Sequence, residues 1–476
     1  MKKTIIYALI WVGMLPTLVS CEKWFDVSPR VEIKEDDLYK NESGFFDALV
    51  GVYSLMAKSD LYGNQLTMGF MDAVVQDYYI PSSAHPLYYA LKFDYKNTRI
   101  QPLIDEFWNN MYEAVVNVNN LLANLEKADQ SMFSDDNYEL IKGEALALRA
   151  YLHFDLLRLY GPSFKMDKNR KCMPYVKTVS KQNTAYSSPV EVVEQCVADL
   201  QQALGYLQND PVQNAIQNED NIYRMNRRTR LNLYAVQGVL ARVYLYAENK
   251  AKAAEYAGML VDKESLPLTT NMQGVKNDRI FSGELLFAVF VDNLSSWADD
   301  YFNHSALGYD LQQLEFYLDV FFDKNAGLGQ DIRYTEQFTV ANSNGKLKKY
   351  LMSSSDYSNS KYRVPMLRLS EMYYIAAECT DDLGEASRLL NLVRKARGLE
   401  EKTFSGFPDV ETYLTAEYRR EFYGEGQLFY RYKRLNSPTI GEGYLIQNIS
   451  TKMEEVYVFP LPDQEKEFGG VADQTN

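Results

Sequence analysis

Metal-ligating and redox-active side chains are scarce in this 476-residue sequence, which contains only 3 histidines and 4 cysteines. His85, His153 and His304 are far apart, and none has a second histidine or cysteine at the spacing of a zinc site. The sequence also lacks a phosphate-binding loop, a dinucleotide-binding glycine turn, an EF-hand loop and a Gly-x-Ser-x-Gly nucleophile elbow. These absences argue against zinc hydrolases, nucleotide-dependent enzymes and serine hydrolases, and we predict no cofactor.

The cysteines do not indicate a disulfide framework. Cys172, Cys196 and Cys379 follow Cys21 at wide spacing, and three is an odd number for the mature chain. Cys196 and Cys379 lie in helical patterns and are predicted to be small buried hydrophobic residues. The sequence does not decide whether Cys172 and Cys196 form a bridge.

Basic charge is also in deficit. The 64 acidic residues outnumber the 50 basic residues, for a net charge of −14, and no basic stripe interleaved with aromatic residues is present. Such a chain would repel a phosphate backbone, so nucleic acid is not expected as a partner. Low-complexity tracts are absent as well, and the 15 prolines are scattered. The sequence therefore predicts one folded body rather than a string of domains.

The N-terminus has the order of parts of a bacterial secretion signal. Two lysines precede an uncharged apolar run from Thr4 to Leu15, which is followed by Leu18-Val19-Ser20-Cys21. The last four residues resemble the lipobox, in which the cysteine is acylated and becomes the first residue of the mature protein. We therefore predict a signal peptide at residues 1–20 and a lipid anchor, such as palmitate, on Cys21. An ordinary signal peptide with an incidental cysteine is the alternative.

Helical periodicity dominates the rest of the chain. Residues 143–161 are apolar around most of the circumference of a helix, which predicts an inner helix packed between others. His153 within it is predicted to be a satisfied interior side chain rather than a ligand. A helix at 104–127 should pack antiparallel to this inner helix across the turn at 131–136. Further helices are predicted at 44–58, 188–207 and 408–423.

Two helical hairpins have the spacing of tetratricopeptide repeats, in which small residues let antiparallel helices approach closely. The motifs are Leu240-Ala241-x-x-Tyr244 with Ala253-x-x-x-Ala257, and Ile375-Ala376-x-x-Cys379 with Ala386 and Leu389-Leu390. Generic helical hairpins are the alternative. The predicted fold class is mainly α, a tetratricopeptide-like helical-hairpin scaffold with a long irregular loop-rich insertion carrying a few short strands.

The insertion runs from about residue 266 to 363, where no helical period is sustained. Long irregular segments in a compact protein usually carry function, so ligand binding is expected there. Periodicity is also weak at 59–103. Besides the helices named above, we predict a helix at 311–322 and strands at 285–291 and 346–352. Extended chain is predicted at 22–40 and 456–461.

Several blocks of sequence follow one another along the mature chain. They are Trp24-Phe25-Asp26 with Pro29, Leu38-Tyr39-x-Asn41-Glu42, Ala48-Leu49-x-Gly51-Val52-Tyr53, Glu144 to Gly161, Pro365 to Glu371 with Ala376-Ala377-Glu378, Leu390-Asn391-x-Val393-Arg394-x-x-Arg397-Gly398, Glu417 to Arg434, and Phe459-Pro460-Leu461-Pro462-x-Gln464-Glu465. In kind and order they resemble the SusD/RagB-type outer-membrane nutrient-binding lipoproteins of Bacteroidetes. One departure is that Leu428 and Arg431 stand where the family usually carries an arginine and an aspartate.

This resemblance implies a ligand face built from loops and a TonB-dependent, SusC-like transporter as partner. It further implies a lipoprotein at the cell surface that binds a glycan without catalysis and hands it to the transporter. The implied organisation is an anchored segment at 21–40 and a single domain at 41–476. Within the domain, the scaffold is expected at about 41–58, 104–264 and 364–435, and the ligand-binding loops at about 59–103 and 265–363.

Two loop clusters carry the side chains that sugar binding needs, namely flat apolar faces for the pyranose C–H groups and planar polar groups for the hydroxyls. Trp297 is predicted to be a stacking platform, with Asp300 and Asn303 as partners of sugar hydroxyls. Each aromatic residue could instead cover the scaffold, as most loop aromatics do. The first cluster is Asp77, Tyr78, Tyr79, Tyr88 and Tyr89, and the second is Trp297, Asp299, Asp300, Tyr301, Phe302, Asn303 and His304.

The sequence leaves three alternatives to glycan binding open. The helical scaffold could bind a protein and no sugar. The same family fold could bind a peptide or another nutrient, since a fold does not set its ligand. Finally, two of the 64 acidic residues could form a glycosidase pair, although nothing in the sequence marks such a pair.

Overall fold

The computed structural model describes residues 35–214, 221–270, 274–303, 310–324, 330–353, 355–357, 360–442 and 446–468. The predicted signal peptide, the predicted anchor Cys21 and the candidate residue His304 lie outside this described part. Within it, no helix combines the length and the apolar character needed to cross a bilayer.

Helices make up most of the described structure, so the predicted mainly α fold class is confirmed. They are α1 Glu35–Leu38, α2 Glu42–Met56, α3 Phe70–Val74, α4 Gln101–Leu125, α5 Asn137–Tyr160, α6 Phe164–Asp167, α7 Pro189–Tyr206, α8 Leu233–Tyr246, α9 Lys250–Gly258, α10 Leu294–Phe302, α11 Glu315–Phe321, α12 Ile332–Gln337, α13 Leu369–Cys379, α14 Leu383–Ala396, α15 Phe407–Phe422, α16 Gln427–Leu435, α17 Met453–Tyr457 and α18 Asp463–Phe468.

The strands are short and pair antiparallel in small sheets. The pairs β1–β2, β3–β7 and β8–β9 form two-stranded sheets, and β6 lies between β4 and β5. The strands are β1 Met173–Pro174, β2 Tyr186–Ser187, β3 Leu285–Phe290, β4 Gln313–Leu314, β5 Phe338–Ala341, β6 Asn344–Leu347, β7 Arg363–Arg368, β8 Thr439–Ile440 and β9 Gln447–Asn448.

Helix α5 is the predicted inner helix, and every residue from Gly143 to Tyr160 is buried. It packs against α4 and α7. The Tyr160 hydroxyl at the end of α5 donates to the Ile104 carbonyl near the start of α4, and the Tyr138 hydroxyl donates to the Leu125 carbonyl at 3.4 Å. Opposite ends of the two helices therefore meet, which confirms the predicted antiparallel packing.

His153 is a satisfied interior side chain, as predicted. Its Nδ1 lies 2.8 Å from the Arg149 carbonyl, and its Nε2 accepts a hydrogen bond of 2.9 Å from the Val176 amide. The imidazole also stacks on the Tyr175 ring at a centroid distance of 3.9 Å. Burial lowers the pKa of His153 to about 3, so the imidazole is neutral in the folded protein.

The predicted repeat motifs form stacked hairpins. Helices α8 and α9 form one hairpin, α13 and α14 form the other, and α9 packs against α13. Ala241, Ala253 and Ala257 are fully buried where α8 meets α9. Because these side chains are small, the helices approach closely enough for the Tyr244 and Tyr256 rings to stack at 5.7 Å.

The insertion begins and ends on one strand pair. Strand β3 pairs antiparallel with β7, from Leu285 opposite Arg368 to Phe290 opposite Arg363. This confirms the predicted strand at 285–291 and joins the insertion directly to α13, which follows β7. The insertion is more helical than its sequence indicated, because α10, α11 and α12 are too short to show a sustained helical period.

Four predicted elements differ from the observed ones. The helix predicted at 311–322 is a bridge strand, β4, followed by α11, because Gln313 and Leu314 pair with Gly345 and Asn344. The strand predicted at 346–352 ends at Leu347, where β6 loses its partners. The segments predicted to be extended at 22–40 and 456–461 contain α1 and the end of α17.

The three described cysteines are free, so no Cys172–Cys196 bridge forms. The thiols of Cys172 and Cys196 instead donate to the carbonyls of Ser187 and Ala150, each at 3.4 Å. Both side chains are buried, as predicted for Cys196, whereas Cys379 is half-buried.

A buried network of ion pairs joins the insertion to the scaffold. Arg397, which follows α14, donates to Glu284 before β3 at 2.8 and 2.9 Å and to Glu421 of α15 at 2.6 and 3.0 Å. Arg333 of α12 donates to Glu417 and Glu421, both at 2.8 Å. The base of the insertion is thereby tied to α15 at several points.

Candidate ligand-binding site

A cleft of about 440 Å³ opens between α2, the end of β3 and the start of α10. Three aromatic side chains line it, those of Tyr53, Phe290 and Trp297. Polar side chains from Lys58, Arg230, Asp292 and Asn293 are also part of the lining, together with Val50, Ser54, Ala57, Thr229 and Val291. We call this the Trp297 cleft.

Trp297 lies in the first half of α10, whose buried face is formed by Leu294, Ala298 and Phe302. The indole is half-buried and faces the cleft from the edge of that apolar stripe. It packs against Gly63, where a Cβ atom would lie only 2.8 Å from the Trp297 Cζ3 atom. The missing side chain at Gly63 therefore makes room for the indole.

The ring of Tyr53 is fixed by its polar end. Its hydroxyl donates to Glu144 Oε2 and accepts from the Leu231 amide, both at 2.9 Å. Burial and the neighbouring Glu144 raise the pKa of Tyr53, so the hydroxyl keeps its proton. With the hydroxyl fully used, the ring offers the cleft an apolar edge in a defined orientation.

Phe290 is the exposed end of an otherwise buried strand. The five residues before it in β3 are buried, whereas Phe290 is 53% exposed. Its ring lies 5.7 Å from that of Tyr362, which is 38% exposed and has a left-handed backbone with φ 58°. This conformation is unfavourable for a residue with a side chain. The Tyr362 carbonyl accepts a hydrogen bond of 2.7 Å from the Val291 amide, which holds the turn in place.

Arg230 supplies a hydrogen-bond donor at the cleft. Its guanidinium lies over the Phe46 ring, 4.5 Å from the centroid. Its Nη1 is 3.7 Å from Glu144 Oε2 and makes no hydrogen bond to any part of the chain that the structure describes. Glu144 is already paired with Arg227 and Tyr53. Since Nη1 is buried, the donors that Arg230 can offer to a ligand are the other N–H groups of its guanidinium, where the side chain lines the cleft.

The structure separates Trp297 from most of its predicted companions. Among the predicted residues that the structure describes, Trp297 alone lines the cleft. Tyr301 accepts a hydrogen bond of 2.9 Å from Gln65 Nε2, and burial raises the pKa of its hydroxyl. Asn303 donates to Asp299 Oδ1 at 3.2 Å. Asp300 is exposed on the turn after Trp297, and its role as a hydroxyl partner stays a prediction.

The structure does not agree with the prediction that Asp77 and Tyr78 contact a ligand, because both side chains are buried. Asp77 forms a buried ion pair with Arg419. Burial raises the pKa of Asp77 to about 7, although Arg419 opposes this shift. The Tyr78 hydroxyl donates to the Met68 carbonyl at 2.6 Å, and its ring lies 6.1 Å from that of Phe302. The two predicted clusters thus meet through buried rings rather than on a shared open face.

The other tyrosines of the first cluster are accessible. Tyr79 is exposed, and its amide donates to the Gln312 carbonyl at 2.8 Å. Tyr88 and Tyr89 are half-buried and contact each other edge to face at 5.3 Å. Lys92 and Arg99 lie over these two rings. A ligand role for Tyr79 and Tyr88 stays a prediction.

Sequence reasoning missed Tyr53, Arg230 and Phe290. Tyr53 and Arg230 look like ordinary scaffold residues, and their meeting with Trp297 depends on the packing of α2 against β3. Phe290 lies at the end of an apolar strand, where burial was the natural expectation. Only the folded structure shows that the Phe290 ring is exposed beside that of Tyr362.

A larger cleft of about 610 Å³ near the C-terminal segment offers no comparable surface. Its aromatic residues Tyr160 and Phe459 are buried. Its charged residues include Arg170, which pairs with Glu454 across it at 2.5 Å. The Trp297 cleft is therefore the stronger candidate site.

Two family models match the chain, one in its N-terminal half and one in its C-terminal third. The SusD-like model described as "Starch-binding associating with outer membrane" matches residues 23–245, and the SusD family model matches residues 322–467. A SusD-like protein from Formosa agariphila is 24% identical over 158 residues, which are 32% of this chain and 30% of that protein. The matched segment is thus less than a third of that relative's length.

Solved structures share the fold at low sequence identity. A SusD superfamily protein from Bacteroides thetaiotaomicron is 20% identical, with a TM-score of 0.70 over 90% of this chain and 98% of that one. A SusD-like carbohydrate binding protein from Bacteroides vulgatus is 20% identical, with a TM-score of 0.69 over 90% and 96%. A laminarin binding SusD-like protein is 20% identical, with a TM-score of 0.62 over 84% and 92%. Since the family models together cover most of the sequence, this chain belongs to the SusD/RagB family.

Proposed function

We propose that this chain is a non-catalytic lipoprotein of the outer membrane that binds an oligo- or polysaccharide and delivers it to a TonB-dependent, SusC-like transporter. The observation that carries the proposal is the Trp297 cleft, where aromatic faces and the side chain of Arg230 line one concave surface. Family membership supports the same reading, because the N-terminal family model is described as starch-binding and associated with the outer membrane.

The cleft suits the two kinds of surface on a sugar. The C–H face of a pyranose is apolar and stacks on a flat aromatic ring, which Trp297 and the Phe290–Tyr362 pair provide. The hydroxyls require directional donors and acceptors, which Arg230, Asn293 and Asp292 provide at the same cleft. The volume of about 440 Å³ lies within the range of about 300–1,000 Å³ for ligand sites.

The position of the Phe290–Tyr362 pair favours a ligand longer than one sugar. Both rings are exposed at the edge of the β3–β7 sheet, where Phe290 lines the cleft and Tyr362 extends the aromatic surface beyond it. A chain of sugars seated on Trp297 would continue over them. Oligosaccharides should therefore bind more tightly than the corresponding monosaccharide.

The cleft supports binding without hydrolysis. Glycoside hydrolysis generally requires two carboxyl groups about 5–10 Å apart on either side of the scissile bond. Among its described lining residues the cleft has a single carboxylate, that of Asp292. Glu144 lies behind Tyr53 and is already engaged by Arg227.

Attachment and delivery are proposed from the sequence and the family. The lipobox-like residues before Cys21 support a lipid anchor on the outer membrane. The helical scaffold supports a protein partner, since stacked hairpins provide extended surfaces for other proteins.

Replacement of Trp297 tests the proposal. The purified chain would first be screened against a panel of polysaccharides by affinity electrophoresis, with a parallel assay for new reducing ends. We expect one polysaccharide class to retard the protein without being cleaved, and Trp297→Ala to weaken that binding at least tenfold. One stacked base or aromatic contact is typically worth about 1–3 kcal/mol, which supports this size of effect.

Phe407→Ala is the matched control, since Phe407 is an exposed aromatic residue on the helical scaffold and lines a different cleft. This variant should bind the polysaccharide like the wild type. Equal binding by Trp297→Ala and wild type would reject the Trp297 cleft as the site. Release of reducing ends would reject the non-catalytic role.

A further inference from the structure

A small crevice lies inside the helical scaffold, away from the Trp297 cleft. It has a volume of about 30 Å³ and lies where α5, α8, α13, α15 and α16 meet. Since about 10–15 Å³ of such space holds one water molecule, the crevice has room for one ion larger than water. Four arginines line it, Arg158, Arg242, Arg431 and Arg434.

The arginines at this crevice outnumber the carboxylates that pair with them. Arg158 is paired with Asp155, and Arg242 is paired with Glu371 at 2.5 Å. Arg431 and Arg434 share a single partner, Glu378, each at 2.7 Å. Four guanidinium groups therefore share three carboxylates, which leaves one largely buried positive charge without an ion-pair partner of its own.

The pKa of Glu378 reflects its position between two arginines. Burial alone would raise the pKa of Glu378, but Arg434 and Arg431 together lower it to about 2. Glu378 is therefore fully ionised and still balances only one of its two arginines. Lys433, whose ammonium group donates to the Arg158 carbonyl, does not change this balance, because burial lowers its pKa and favours the neutral amine.

Hydroxyl groups accompany the surplus charge at the crevice. The Arg242 side chain is only 6% exposed, and its Nη1 has no acceptor of normal geometry in the described ranges. The Tyr151 hydroxyl lies next to this guanidinium and can accept from it, so these two groups face each other. Two further hydroxyl groups, those of Tyr418 and Tyr430, belong to side chains that line the crevice. The hydroxyls of Tyr418 and Tyr430 can donate hydrogen bonds to an anion in the crevice.

We propose that this crevice binds a monovalent anion of the size of chloride. A water molecule would fill the space but would leave the surplus charge unbalanced, and an isolated buried charge is strongly unfavourable. A halide would balance the fourth guanidinium and accept hydrogen bonds from the Tyr418 and Tyr430 hydroxyls. It would also hold α5, α8 and α16 together at the point where they meet.

An entry path for the ion is present. Leu245 and Arg434 line both this crevice and a neighbouring cleft of about 370 Å³ at the ends of α8, α13, α15 and α16. Arg434 is slightly exposed and lies between the two spaces. An anion can therefore reach the crevice from solvent past Arg434.

Bromide is the probe for the test, because it replaces chloride and scatters anomalously. Crystals of the full chain would be grown in sodium bromide, and the melting temperature would be compared in sodium bromide, sodium chloride and sodium gluconate at equal ionic strength. We expect an anomalous peak between Arg242 and Arg434. We also expect a melting temperature about 2 °C higher in either halide than in gluconate, because an ion that binds only the folded state stabilises it.

Arg434→Gln removes the surplus charge, since Glu378 keeps Arg431 as its partner. This variant should lose both the bromide peak and the difference between halide and gluconate. Arg388→Gln is the control, because Arg388 is an exposed arginine that pairs with Glu385 on α14, and it should keep both. A crevice holding only water would overturn the proposal, as would an unchanged halide effect in Arg434→Gln. Should that variant not fold, the bromide peak in wild-type crystals decides alone.

Discussion

The same kinds of side chain have different uses in this protein depending on how deeply they are buried. Tyr78 and Trp297 belong to clusters of similar composition, but the Tyr78 hydroxyl is bonded to a backbone carbonyl in the core, whereas Trp297 faces an open cleft. Asp77 likewise forms a buried ion pair with Arg419. Residue type therefore limits what a side chain can bind, and burial decides whether it is available.

His153 provides a prediction at the scale of one residue. Its pKa is lowered to about 3 in the folded state, against an ordinary value near 6.5 in the unfolded chain. This contribution to stability is complete above pH 6.5 and is lost as the pH falls, because only the unfolded chain then binds a proton. Between pH 7.5 and 5.0, the free energy of unfolding should fall by about 2 kcal/mol from this residue alone.

Urea unfolding of wild type and His153→Gln at both pH values measures this effect. Glutamine has a donor and an acceptor but does not titrate, so the variant should lack this share of the pH dependence. The same pH dependence in both proteins would show that His153 is not the group responsible.

At the scale of elements, close approach between helices decides which residues are tolerated. Gly143 lies in α5, where a Cβ atom would be 2.7 Å from Leu207 Cγ and 3.2 Å from Tyr206 Cβ at the end of α7. We expect Gly143→Val to destabilise the protein by about 1–3 kcal/mol, because the added side chain has no room. Chemical denaturation of the purified variant gives the value.

Gly205→Ala in α7 is the matched control, since nothing lies within 4 Å of a Cβ atom at that position. This change should stabilise the protein by up to about 1 kcal/mol, because alanine favours the helix more than glycine does. A loss of stability at Gly205 similar to that at Gly143 would show that helix packing is not the cause.

Long helices were predictable from the sequence, and short elements were not. The apolar pattern of α4, α5 and α7 spans several turns, so their positions were predicted to within a few residues, except at the start of α5. Strand β4 consists of two residues and exists only because β6 lies beside it. The pattern of two residues carries too little information to indicate a partner that is 30 residues away in sequence.

At the scale of the whole molecule, one arginine joins three distant segments. Arg397 is fully buried and binds both Glu284 at the base of the insertion and Glu421 of α15. We expect Arg397→Met to destabilise the protein by about 3–5 kcal/mol, because Glu284 is then buried without its cation. Adding Glu284→Gln should recover part of this loss in urea unfolding, because the uncompensated charge is removed.

Arg388→Met tests whether loss of any arginine has this effect. Arg388 forms exposed ion pairs with Asp262 and Glu385, and such pairs contribute less than about 1 kcal/mol. Its replacement should therefore change the free energy of unfolding little. A similar loss in both variants would contradict the role of the buried network.

The sequence by itself determined the mainly α class, the inner helix and the hairpins, because each rests on contacts between residues that are near one another in the chain. It also indicated Trp297 as a residue for binding, from its type and setting alone. Only the tertiary structure decided that Trp297 faces Tyr53, Phe290 and Arg230 and that Asp77 and Tyr78 are buried. The physical reason is that burial and proximity depend on how distant segments pack, and the pattern within one segment does not record its neighbours.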